Sequence, residues 1–200
     1  MTTSTSRRRA YHHGNLRASI LRAAGALLER KGIAALSVRA AARRARVSHS
    51  APYRHFPDRD SLLAALATEG FRALGHELQE AAASGGLRAR GEAYVRFALA
   101  NPQRFRLMFG GNLRFQGHDA LAEAASRVSE ALSGAFMAQL PGPAGYDASI
   151  AAWALVHGLA LLLLDDRVGE AARQGREPET FVRAVLAALR YAARAPQPSA

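Results

Sequence analysis

From Leu16 to Leu189 the apolar residues of this chain recur three and four apart, and no stretch alternates apolar with polar. Such spacing lays a stripe along one face of an α-helix and gives a strand no face to bury. Leu16, Ile20, Leu21, Ala24, Leu27 and Leu28 mark a first helix, with Gly32 as its closing residue. Ser37 is placed to cap a second helix through about Ala45, Arg46-Val47 form a turn, and Ser48 or Ser50 caps a third helix ending near Phe56. Beyond Pro57 a long helix starts at Asp58 or Asp60 and carries Leu62, Leu63, Leu66, Phe71, Leu74 and Leu78 toward a hinge at Ser84-Gly85-Gly86.

A helix with Tyr94, Phe97 and Leu99 stops at Asn101-Pro102, and Pro102 opens a short one, QRFRLMF, ended by Gly110-Gly111. Leu121, Ala125, Val128, Leu132, Phe136 and Leu140 make another, and PGPAGYD at 141–147 breaks the chain. Two more helices are expected at about 148–167 and 178–194. The expected fold is all-α, with about nine helices and no strands.

Charge is distributed unevenly along this framework. Residues 1–60 hold 13 Arg or Lys against Glu29, Asp58 and Asp60, a net of +10, whereas residues 61–200 hold 14 Arg against 13 acids, a net of +1. From Lys31 to Pro57 there is no acid, while Lys31, Arg39, Arg43, Arg44, Arg46 and Arg54 are all cationic. Soluble domains ordinarily intersperse both signs. A helical hairpin with one sign only points to a polyanion, duplex DNA first among them.

The chain has no Cys, which excludes a disulfide framework, a thiolate metal site and a Cys nucleophile, and fits a reducing cytoplasm. The N-terminus lacks an apolar stretch after its arginines, so no secretory signal is expected there. The most apolar run, Ile150 to Leu164, contains His157 and is shorter than the roughly 20 residues of a membrane span, so a buried helix and no membrane partner are expected. No G-x-S-x-G, H-E-x-x-H or phosphate-cradling glycine loop appears, and His76-Glu77 and His118-Asp119 are adjacent pairs that diverge on a helix. An enzyme using His76, His118 or His157 is therefore disfavoured, and no metal or cofactor is expected.

The block Val47-Ser48, Tyr53-x-His55-Phe56 and Arg59-Asp60-x-Leu62, following a helix and a helix-turn-helix, resembles the DNA-binding domain of the tetracycline-repressor (TetR) family over residues 15–63. PQRFRLMFGG at 102–111 and WALVHGLALLLL at 153–164 resemble the Trp–His–Gly ligand-binding domain of one subgroup. The implied organisation is a flexible basic arm at 1–14, a helix-turn-helix domain at 15–60, a ligand-binding and dimerisation domain at 61–195, and a disordered tail at 196–200.

His49 and Ser50 open the reading helix and suit hydrogen bonding to base edges, beside Ser48, and Ala51 or Pro52 suits packing on a thymine methyl. By the resemblance, Tyr53 and His55 would hold phosphates, and Arg59 stands where the family usually has Lys. Ser37 would hold a phosphate and Arg39 reach a base. Arg46 replaces the usual turn glycine, and a phosphate contact would offset its backbone cost. Arg7, Arg8 and Arg9 suit a minor-groove arm. The resemblance also implies an effector pocket among Phe97, Phe105, Met108, Phe109, Phe136, Trp153 and His157. A homodimer seam would hold Leu155, Leu159, Leu163, Phe181, Val185 and Leu189. The expectation is a cytoplasmic repressor released from a palindromic operator by an apolar or amphipathic effector. A family-like activator and a sequence-tolerant architectural DNA-binding protein are the alternatives.

Overall fold

A computed structural model describes residues 6–188 except 112 and 141, with side chains from residue 16 onward. Among the described residues there are eight α-helices, two 3-10 turns and no strand: α1 (Ser6–Lys31), a turn (Ile33–Ala35), α2 (Val38–Ala45), a turn (Ala51–Arg54), α3 (Arg59–Ala100), α4 (Pro102–Phe109), α5 (Asp119–Gln139), α6 (Pro143–Leu164), α7 (Glu170–Arg173) and α8 (Pro178–Ala188). The expected third helix is thus a single 3-10 turn. α1 begins at Ser6, ten residues before the start of its apolar stripe at Leu16.

Caps explain where the first elements start. The Ser37 hydroxyl accepts the Ala40 N–H at 3.1 Å and opens α2. The Asp58 carboxylate accepts the Ser61 N–H at 2.7 Å and opens α3, and these Ser61 bonds hold its pKa below the ordinary carboxylate value. Within α3, Gly86 (φ 67, ψ −146) separates two helical arms. A side chain tolerates that backbone poorly, so the expected hinge is a kink at one glycine.

Ile20, Leu21, Ala24 and Leu28 of α1 pack with Val38 and Ala41 of α2 and with Phe56, Leu62 and Leu66 into a core that continues through α3 to Tyr94, Phe97 and Phe105. The first arm of α3 therefore belongs both to the basic head and to the helical body. α4 wedges between them. The Glu29 carboxylate of α1 accepts the backbone N–H groups of Gln103 and Arg104, at 3.1 and 3.0 Å, and so caps a helix 74 residues away. α4 lies close on α3 because Gly70 has no side chain: a Cβ there would stand 2.6 Å from the Met108 sulfur.

Candidate nucleic-acid interface and effector cavity

The turn at Arg46 shapes the basic face. Arg46 adopts the left-handed backbone (φ 56, ψ 40), and its N–H closes α2 on the Ala42 and Arg43 carbonyls. The chain then reverses into Ser48, His49 and Ser50, all exposed, as are Arg39, Arg43, Arg44 and Arg54. Tyr53 is 40% exposed beside them. Cationic, hydroxyl and imidazole groups thus crowd one short stretch with no acid among them, a set suited to phosphate oxygens and base edges.

Three expected residues behave differently. Pro52 is buried, because the 3-10 turn directs its ring inward, and it is not available to a thymine methyl. Arg59 donates from Nε to the Leu36 carbonyl at 2.9 Å and from Nη2 to the Ile33 carbonyl at 2.8 Å, stitching the start of α3 to the loop before α2. His55 is half-buried, and its Nε2 is buried without a partner. It lines a cavity of about 290 Å³ between the head and the start of α5, together with Arg17, Glu69, Arg72 and His118. Ser37 spends its hydroxyl oxygen on the cap, leaving its O–H free to donate. Arg7, Arg8 and Arg9 lie on α1, but their side chains fall outside the described residues.

The body contains a larger cavity, about 430 Å³, between α3, α4, α5 and α6. Met108, Phe109 and Trp153 line it as expected, joined by Phe71, Leu113, Phe115, Ser129, Leu132, Ser133, Tyr146 and Ile150. Phe97 and Phe105 do not: they are 2% and 0% exposed, sealed in the core behind α4. Phe136 faces a separate void of about 30 Å³. His157 is also set back, paired with Tyr94 (Oη to Nδ1, 2.9 Å), while Trp153 Nε1 donates to the same Tyr94 hydroxyl at 3.2 Å. Burial raises the Tyr94 pKa and lowers that of His157, so the pair is neutral and Tyr94 donates to the unprotonated Nδ1. Ser129 and Ser133 read in sequence as the polar side of an amphipathic helix. Tyr146 sat in a segment read as a chain break.

α6 departs from the expected buried helix. It is 22 residues long and apolar enough to cross a membrane by length and composition, yet only 22% of its most apolar stretch is buried. Ala151, Ala154, Leu161 and Leu162 are exposed along one face, and nothing lies within 4 Å of a Cβ placed on Gly158. Leu159 and Phe181, expected in a seam between chains, are 7% and 9% exposed and pack into their own core. Leu155, Leu163 and Val185 also lean on that core, and Leu189 lies outside the described residues. Helical register accounts for the shift: with apolar residues on all sides of α6, spacing alone did not tell the inner face from the outer. Among the described residues no group of three His, Asp or Glu side chains could hold a metal ion.

Comparison with known proteins agrees with this architecture. Residues 20–66 match the family pattern of bacterial regulatory proteins of the tetR family, and residues 87–189 match the tetracyclin repressor-like C-terminal domain. The chain is similar to a solved protein of unknown function from Rhodococcus sp. RHA1, at 33% identity over 89% of this chain and 95% of that one, with TM-score 0.72. It is similar to multidrug binding protein EbrR, solved with imidazole, at 25% identity over 88% and 90%, with TM-score 0.57. It shares its fold with AibR, solved with isovaleryl coenzyme A and operator DNA, at 15% identity over 86% and 97%, with TM-score 0.63. No curated protein matches the chain. With its C-terminal match alone spanning more than half its length, the chain belongs to the TetR family and is a transcriptional regulator, not an enzyme.

Proposed function

We propose that this regulator is a cytoplasmic homodimeric repressor that grips a palindromic operator and releases it when a small molecule fills the α3–α6 cavity. The exposed, acid-free cluster of Arg39, Arg46, Ser48, His49, Ser50 and Tyr53 around the left-handed turn carries the DNA-binding part. In this reading His49, Ser50 and Arg39 address bases. Tyr53, Arg46, Ser48 and the free Ser37 O–H hold the backbone, with His55 and Arg59 beneath them as supports. Phosphate contacts fix register and base contacts choose sequence.

The open apolar face of α6, with Ala151, Ala154, Leu161 and Leu162, supports a second copy of the chain as its cover rather than a lipid surface. A two-fold dimer presents two reading heads to two half-sites, hence the palindrome. The route from cavity to head runs through α4: Met108 and Phe109 line the cavity, and Glu29 of α1 holds the other end of the same helix. An effector that displaces α4 moves α1, and it shifts the population of head spacings in proportion to its preference for one state.

The test is fluorescence anisotropy on duplexes selected from random oligonucleotides. The wild type should prefer its selected site over random DNA by about 10³ or more. Tyr53→Ala with His49→Ala should remove that preference and leave the dimer intact in size-exclusion chromatography. Equal binding to random DNA by the wild type would favour the architectural alternative, and undiminished affinity in the double variant would refute the reading head.

A further inference from the structure

The composition of the 430 Å³ cavity limits what it can hold. No Asp, Glu, Lys, Arg or His is among the described residues that line it. The cavity opens to solvent past Tyr146 and Ile150, yet an ion seated against Phe109 and Met108 would lose part of its hydration and meet no opposite charge, which disfavours binding. An apolar body would gain by leaving water, against Trp153, Phe109 and Met108.

The polar groups of the wall narrow the choice further. The Trp153 N–H is engaged by Tyr94 at 3.2 Å, and the Ser149 O–H by the Tyr146 carbonyl at 2.7 Å. Ser129 and Ser133 are different. They stand one turn apart on the same face of α5, both on the cavity, Ser133 half-buried and Ser129 exposed at its mouth, and neither their hydroxyls nor that of the exposed Tyr146 bonds another group among the described residues. Two adjacent hydroxyls without partners form a small neutral recognition point, able to donate to a carbonyl or to accept from a hydroxyl.

We infer that the cavity takes an uncharged ligand, mainly aliphatic or aromatic, with one hydroxyl or carbonyl group held by Ser129 and Ser133. This names the ligand class for the effector site proposed above and rests on that reading for what binding does to DNA. Ammonium and carboxylate compounds of the same shape bind less tightly, because no lining residue among those described offers them an opposite charge.

Trp153 is the sole tryptophan of the chain, so its fluorescence reports the cavity directly. Three compact probes of one shape separate the cases: 1-adamantanemethanol, 1-adamantanecarboxylate and 1-adamantanemethylammonium, with 1-methyladamantane as the wholly apolar control. The alcohol should bind at least about tenfold more tightly than either ion. Ser129→Ala with Ser133→Ala should weaken the alcohol about fivefold and leave 1-methyladamantane within about twofold. The inference is overturned if either ion binds as tightly as the alcohol, if no probe changes the fluorescence, or if the serine variant weakens both neutral probes alike. Operator binding measured with each probe separates the two readings. An alcohol that binds selectively without changing DNA affinity refutes the effector and leaves the ligand class standing. An ion that binds tightly and releases DNA does the reverse.

Discussion

Removing the Glu29 carboxylate tests how the head is fastened to the body. α4 begins at Pro102, and its N-cap residue Asn101 makes no cap bond, since the Asn101 amide donates backward to the Phe97 carbonyl at 3.1 Å. The first turn of α4 is therefore satisfied from outside, by Glu29 at 3.1 and 3.0 Å from two backbone N–H groups. Hydrogen bonds to a charged group contribute roughly 1.5–3 kcal/mol each. A carboxylate at a helix N-terminus adds about 0.3–1 kcal/mol. Glu29 is only partly buried, so water replaces part of what is lost, and Glu29→Ala should cost about 2–3 kcal/mol in total.

For a chain of this size each kcal/mol moves the melting temperature by roughly 2–4 °C, so calorimetry should show a fall of about 5–10 °C. Glu29→Gln keeps one neutral acceptor and should lose about half as much. Both variants must be compared with the wild type at equal protein concentration, because association raises apparent stability. A loss below about 0.5 kcal/mol for Glu29→Ala, or equal losses in the two variants, would refute the cap as the fastening between α1 and α4.

Arg46 and the Tyr94–His157 pair give two further expectations. Arg46→Gly relieves a left-handed backbone that costs a side chain roughly 1 kcal/mol, so the melting temperature should rise by about 2–4 °C. The same change should weaken operator binding, and unchanged affinity would remove Arg46 from the phosphate-holding set. His157 has a folded pKa depressed by burial below its ordinary 6.5. Its neutral form is favoured in the fold, so that contribution is whole above pH 6.5 and is lost as pH falls toward the folded value. Melting curves from pH 7.5 to 5 should therefore fall more for the wild type than for His157→Gln, which keeps an acceptor for Tyr94 without taking a proton. Parallel curves would show that folding leaves the His157 pKa where it stands in the unfolded chain.

Much of this protein was legible in the order of its residues. Three-and-four spacing dictated helices, because only a helix puts such residues on one side. Ser37, Asp58, Gly32 and Gly86 marked ends and a kink, because caps and positive φ are local chemistry. The missing acids between Lys31 and Pro57 located the basic face, because unbalanced charge is a property of the segment itself.

What faces what was decided only by tertiary packing. Pro52, Arg59 and His55 lie in the right segment, yet packing turned Pro52 inward, tied Arg59 to two carbonyls and sank His55 to half exposure. Phe105 and Met108 are equally apolar and share α4, yet the seating of that helix on Gly70 puts Met108 on the cavity and leaves Phe105 in the core behind it. Apolar all round, α6 gave no sign of its inner face until α3 and α5 covered Val156, Leu159 and Ala160. The link from Glu29 to α4 spans 74 residues and has no local signature. Local chemistry fixes where helices start and stop. Which side of each is buried is a competition among all of them, and the assembled chain alone decides it.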